Sequence, residues 1–375
     1  MIATMIIMAC SSDSDYNTPI RREICFANPV INGMTRAGEV TGVNYPTDET
    51  FIVTSRKYKG DFKGWFATGT EEEINYEQKG TANPKDVVKY NATYNVWHTP
   101  EPHYWVEGYK YAFGAISPAS LRNSNQIKNL LHLNTGFQII DFKPSSTLSE
   151  HMDIMYSGRV YDKTAVTAAS GVDIQFRHAL SSIHFKVCVS PNFVKEMESD
   201  KDPNNNIKNG DYRIKSIKVT GINNCAVFKE QIDDVKGIIL PPEWKLTSNV
   251  TEAEINKEYE FVSTEISLPA DGTSASIADA AKDITVAEYK GYSAMLIPQL
   301  LNKDAAKVII TYTKNGNATK PTWVTKELIL NNDITPYTTE WLMGYRYTYT
   351  IAFTSDVIYF SPNVTDMKEK DITIL

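Results

Sequence analysis

Six histidines, four cysteines and scattered carboxylates are the side chains of this 375-residue chain that could hold a metal or act as a nucleophile. Their spacing does not favour either chemistry. His98 and His103 flank Thr99-Pro100-Glu101-Pro102, a turn and not a helix face. His178 and His184 are too far apart along a strand to share an ion. Gly291-Tyr292-Ser293-Ala294-Met295 falls short of a nucleophile elbow, because Met295 stands where the second turn glycine is needed. No glycine-rich phosphate cradle is present. Asp200-Lys201-Asp202-Pro203-Asn204-Asn205-Asn206, with Asp211 beyond, alternates oxygen ligands as a calcium loop does. It lacks the central glycine and the closing bidentate glutamate, so it reads as an Asn/Asp-rich connection between strands. Trp97, Tyr104 and Trp105 could stack on the sugar rings of a glycan, although strand-like neighbours make packing the commoner use of such rings. No catalytic residue, metal or cofactor is expected.

The elements that would carry these residues are mostly strands. Twenty-one tyrosines accompany many Val, Ile and Thr, with frequent Gly, Pro and Asn punctuation. In Ile183-His184-Phe185-Lys186-Val187-Cys188-Val189 the residues Ile183, Phe185, Val187 and Val189 line one face. Tyr212 to Val219 alternates and then shifts phase near Ser216, as at a bulge. Tyr345 to Phe353 alternates throughout. Half-apolar strands of this kind belong to antiparallel sheets with one wet face, hence to an all-β sandwich or barrel. Short helices are expected within residues 119–133 and 190–198, the second with Pro191 in its first turn. Loops are expected at 71–86, 200–211 and 269–283. The net charge of −7 gives no concentrated basic surface, which weighs against nucleic acid.

The amino terminus ends an apolar run in Ile7-Met8-Ala9-Cys10 and continues Ser11-Ser12-Asp13-Ser14-Asp15. This resembles a lipoprotein signal peptide (residues 1–9), with Cys10 as the lipidated residue and a polar tether after it. No Lys or Arg precedes the apolar run, so a start upstream of Met1 is expected. Cys25, Cys188 and Cys225 then remain, an odd number without metal spacing, which reads as small semi-buried thiols.

The order of several segments resembles the fimbrillin family of Bacteroidales, lipoprotein subunits of type V pili. The segments are Ile24-Cys25-Phe26-Ala27, Thr35-Arg36-Ala37-Gly38, Tyr104-Trp105, Tyr111-Ala112-Phe113-Gly114, Ile174-Gln175-Phe176-Arg177-His178-Ala179-Leu180, Met295-Leu296-Ile297-Pro298-Gln299 and Trp341-Leu342-Met343-Gly344-Tyr345. The resemblance implies two tandem transthyretin-like antiparallel β-sandwiches, here expected at residues 37–168 and 169–375, after a lipidated leader and removable first strand at 10–36. It implies delivery to the outer membrane on the lipid. It also implies an Arg-specific protease cutting between Arg36 and Ala37, and polymerisation with other fimbrial subunits in support of adhesion. In that scheme Ile372 and Ile374 alternate on a tail able to act as donor strand. The alternative reading is a lipid-retained outer-membrane surface protein that binds a glycan or host protein without polymerising. Read without the resemblance, Arg36 is a solvated loop residue and the tail a strand of its own domain.

Overall fold

The computed structural model describes residues 22–31, 43–200, 202–233, 238–247, 257–331, 339–355 and 357–367. These form two compact β-rich units: one built from the residues up to Phe142 with Met152–Ala179 and Val227–Lys245, the other from Lys143–His151, Leu180–Ala226 and the residues from Leu246 onward.

The first unit contains β1 (Val30–Ile31), β2 (Val43–Asn44), β3 (Phe51–Tyr58), β4 (Glu71–Ile74), β5 (Val87–Asn91), β6 (Val96–His98), β7 (Lys110–Ser117), β8 (Asn129–Leu133), β9 (Gly136–Phe142), β10 (Met155–Lys163) and β11 (Gln175–His178). β12 (Ser181–Val189) and β13 (Arg213–Thr220) belong to the second unit, after which β14 (Ala226–Asp233) and β15 (Ile238–Leu246) return to the first. One sheet runs β2-β1-β11-β10-β7-β3-β5-β6, with β4 beside β3, and a second runs β15-β14-β9-β8.

In β3 and β7 nearly every residue is buried, so the central sheet has no wet face there. Rings from the second sheet explain this: Phe228 of β14 meets Tyr156 of β10 at 5.4 Å, and His132 of β8 meets Trp65 at 5.1 Å. Arg159 of β10 lies in the same layer, its guanidinium 3.9 Å from the Trp65 ring centroid. Glycine at 114 leaves room for it, since a Cβ there would fall on the guanidinium.

The Glu-rich stretch expected as a loop begins with β4. Lys57 of β3 pairs with Glu71 and Glu73 at 3.2 Å each, and Arg56 with Glu72 at 3.1 Å, so opposite charges across the two strands favour pairing. The helix expected within 119–133 is also corrected: residues Ala119–Asn123 make a 3-10 turn and the rest gives β8. The apolar run Leu130-Leu131 is short and Asn134-Thr135 provides a two-residue turn between paired Leu133 and Gly136, so hairpin pairing with β9 wins over helix.

The second unit continues with β16 (Tyr259–Val262), β17 (Ile266–Ser267), β18 (Lys282–Asp283), β19 (Ala294–Leu296), β20 (Gln299–Leu300), β21 (Lys307–Thr313), β22 (Val324–Ile329), β23 (Glu340–Trp341), β24 (Tyr345–Phe353) and β25 (Ile358–Asp366). Its sheets are β18-β12-β24-β25 and β16-β13-β21-β22, joined by β19 and β17 respectively, with a small β20-β23 pair. Ile183, Phe185, Val187 and Val189 enter one core with Ile214, Ile217, Val219, Tyr347, Tyr349 and Ile351, as their alternation indicates. The phase shift near Ser216 is a register irregularity against β21 between Ile214 and Ser216. β12 pairs β24 in parallel over eight residues, a departure from a purely antiparallel sheet. Helix α1 (Pro191–Glu198) starts on Pro191, whose missing N–H costs nothing in a first turn. The short α2 (Ile277–Ala280) covers Cys188, which is why the supposedly wet face of β12 is closed at that point.

His151 is buried in the second unit, donating from Nε2 to the Ser145 carbonyl (2.8 Å) and accepting the Met295 amide at Nδ1 (3.0 Å). Burial lowers its pKa to about 4, and burial likewise lowers His184 to about 4. The unfolded chain takes up these protons below about pH 6.5, whereas the folded unit resists until about pH 4. Stability is therefore lost as pH falls through this window, by about 3 kcal/mol for His151. Denaturant titrations that follow unfolding of the second unit between pH 7 and 4 should show this slope, and His151→Gln should reduce it while leaving the share of His184.

Candidate functional site

Two ends of the first unit's large sheet meet across a single stretch of chain, residues 22–31. On one side it runs antiparallel to residues 97–105: the Ile24 amide donates to the His103 carbonyl (2.7 Å), the Phe26 amide to Trp97 (2.9 Å), and the Trp105 amide to Arg22 (3.0 Å). On the other it runs parallel to residues 172–176. There the Val172 amide donates to Cys25 (2.8 Å), the Ala27 amide to Val172 (3.0 Å), and the Val30 amide to Ile174 (3.2 Å). Phe26 is bridged to both edges at once, to Trp97 and to Val172. The path from β11 through β10, β7, β3 and β5 to β6 thereby closes on itself.

Three consecutive side chains of the segment, Ile24, Cys25 and Phe26, are buried. The Phe26 ring meets Phe51 at 5.9 Å and Phe113 at 5.8 Å, both edge-on. Tyr45, Trp97 and Phe176 complete the aromatic interior, with Tyr45 at 5.4 Å from Trp97 and 5.0 Å from Phe176. Burying side chains such as Ile24 and Phe26 stabilises by about 1.5–3 kcal/mol each, and each main-chain hydrogen bond adds about 1 kcal/mol net.

Trp97, Tyr104 and Trp105, singled out as ring platforms, are brought together here, but by their backbones. Trp97 is only 1 % exposed, wedged among Tyr45, Phe51 and Tyr90, and Trp105 is 9 % exposed against Tyr111. Their rings therefore pack inward and are not presented to a sugar. Tyr104 is half-buried and bridged to Glu23. Cys10, Arg36, Ala37, Ile372 and Ile374 lie outside the described residues. What reasoning on the sequence missed was the other wall, residues 171–176: Val172, Ile174 and Phe176 alternate there, and all three are buried.

The remaining candidates are held by local bonds. Among the described residues no group of three His, Cys, Asp or Glu is placed to hold a metal. In the 200–211 loop Asp200 accepts from Asn205 and Asp202 from the Asn204 amide, which turns these carboxylates onto their own chain. His178 pairs with Asp153 at 2.9 Å, and His184 with Ser182 at 2.7 Å. Asp283 stays 3.9 Å from His184 Nδ1, beyond hydrogen-bond reach. No disulfide joins Cys25 to Cys188 or Cys225.

A fimbrillin-like family model matches residues 59–366. The chain belongs to the fimbrillin-like family. A fimbrial protein from Bacteroides vulgatus ATCC 8482 is similar in structure, with 14% identity, a TM-score of 0.59, and coverage of 92% of this chain and 99% of that one. A candidate cell adhesion protein from Bacteroides uniformis ATCC 8492 gives 12% identity, a TM-score of 0.49, and coverage of 92% and 98%. The tip fimbrial protein Mfa3 from Porphyromonas gingivalis gives 10% identity, a TM-score of 0.33, and coverage of 86% and 95%. The first of these likenesses shows the fold. No curated protein matches the chain.

If the segment acts as the keystone of its sheet, Phe26→Ala should lower the stability of the first unit by about 3–5 kcal/mol. Hydrogen exchange should localise the loss to strands around the seam and leave β12 and β24 protected.

Proposed function

We propose that this chain is a fimbrial subunit delivered to the outer membrane on a lipid at Cys10 and joined to others by exchange of its first strand. Family membership supports a surface-exposed fimbrial subunit that associates with other subunits and has no catalytic part. The observation that carries the finer reading is the seating of residues 22–31, which closes both edges of one sheet while remaining a separable stretch of chain. Arg36 and Ala37 follow it in sequence, before β2. A cut between them leaves the segment held by noncovalent bonds alone. Its departure leaves two rows of unpaired backbone groups around an apolar interior, a template for an added strand.

The seated triplet is large, small, large: Ile24-Cys25-Phe26. The tail carries the same order in Ile372-Thr373-Ile374. Another subunit's tail would thus supply main-chain pairing and two apolar side chains, in a head-to-tail contact that does not close. In this scheme the lipid leaves with the leader once Arg36 is cut.

An Arg-specific, trypsin-like protease should release a fragment ending at Arg36 and give ladders of higher oligomers on gels. Arg36→Ala should remain a full-length monomer under the same treatment. A wild-type precursor that resists cleavage there and stays monomeric would sink the proposal. Separately, Ile374→Asp should still be cut, yet lose the ladders, because a carboxylate cannot enter the apolar seam unpaired.

A further inference from the structure

The bonds that seat residues 22–31 are not evenly shared along the segment. Its first described residue, Arg22, sends its guanidinium to the turn at residues 164–171: Nη1 donates to the Ala165 carbonyl at 2.7 Å and Nη2 to the Ala169 carbonyl. That turn is itself tightly wound. The Ala168 amide donates to the Thr164 carbonyl (3.0 Å), the Gly171 amide to Ala168 (3.0 Å), and the Thr164 amide to the Thr167 hydroxyl (2.8 Å). Ala168 is buried, which ties the turn into the unit.

The same turn ends on Gly171, at φ +103°, directly beneath the middle of the segment. A Cβ there would fall on the Ala27 amide nitrogen and within 2.7 Å of the Phe26 carbonyl carbon. The next residue, Val172, makes two of the main-chain bonds to the segment. One turn thus grips the start of the segment through a charge-assisted fork and its middle through a close backbone approach that only glycine permits.

We infer that Arg22 and the 164–171 turn form a latch that sets how often residues 22–31 leave their seam in the uncut protein. Apolar burial of Ile24 and Phe26 gives the segment its affinity for the interior. The latch holds the end from which a strand would peel. Opening at that end exposes the Trp105–Arg22 and Ile24–His103 bonds before any aromatic ring has to move. The inference concerns seating in the uncut chain. Its biological use rests on the strand-exchange reading, but protease ladders test that reading and leave the latch untouched.

Hydrogen exchange on the full, uncut chain tests it. In Arg22→Ala the amides of Ile24, Phe26 and Ala27 should exchange roughly ten- to a hundredfold faster, as loss of two charge-assisted bonds implies. Peptides from β3, β7, β12 and β24 should keep their wild-type rates. Arg22→Lys should give a smaller increase, because a single ammonium lacks the fork that spans two carbonyls. Gly171→Ala should speed the same amides independently. Wild-type rates at Ile24 to Ala27 in Arg22→Ala would overturn the latch and leave burial and main-chain pairing as the restraints. Equal acceleration of β3 and β7 would also overturn it, by making Arg22 a support of the whole unit.

Discussion

Main-chain pairing is an all-or-nothing demand on a sheet buried on both faces, since any unpaired N–H or C=O has no water to turn to. In the first unit this demand is met at the seam by residues 22–31, which satisfy one edge in antiparallel and the other in parallel fashion. The curvature that brings the edges within reach of one strand also encloses the aromatic interior of Phe26, Tyr45, Phe51, Trp97, Phe113 and Phe176. Other outer strands are guarded differently. β22 carries exposed Lys326 and Glu327, and β25 has Pro362 in its middle, both devices that discourage further pairing. The seam is covered instead by residues 22–31.

Burial on both faces also explains the polar groups inside the first unit. Arg122 and Asp86 pair at 2.5 Å with both side chains almost fully buried, and Asp86 also accepts the Glu77 amide. Glu230 accepts the Phe137 amide at 2.9 Å, and burial raises its pKa to about 7. Such groups add little net stability compared with apolar replacements, but removing one partner is costly. They fix which loops lie where: Asp86 anchors the connection before β5, and Glu230 ties β14 to the start of β9.

Much of the second unit was legible from period-two alternation, because β12, β13 and β24 each present one continuous apolar face to one core. The bulge at Ser216 was legible for the same reason, as a break in that alternation. The first unit was less so. In β3 the run Phe51-Ile52-Val53-Thr54-Ser55-Arg56 does not alternate, since both faces are covered and polar residues are buried with apolar ones. The return of β14 and β15 to the first unit has no local signature, being decided by long-range packing such as Phe228 on Tyr156. At the site, one wall was visible through its aromatic residues. Trp97 and Trp105 suited both a ligand platform and, more commonly, packing, because ring-rich strands serve both purposes; their burial shows the packing use.

The seam has a direction. Residues 22–31 lie parallel to one neighbour and antiparallel to the other, so reversing a strand in that position would mismatch the bonds on both sides together. Any strand that takes up the same bonds must point the same way. A row of subunits joined through such a seam would have two unlike ends, one offering a vacant slot and the other an unspent tail. Growth and termination would then be separate molecular events, and a subunit whose slot never empties could serve at one of those ends alone.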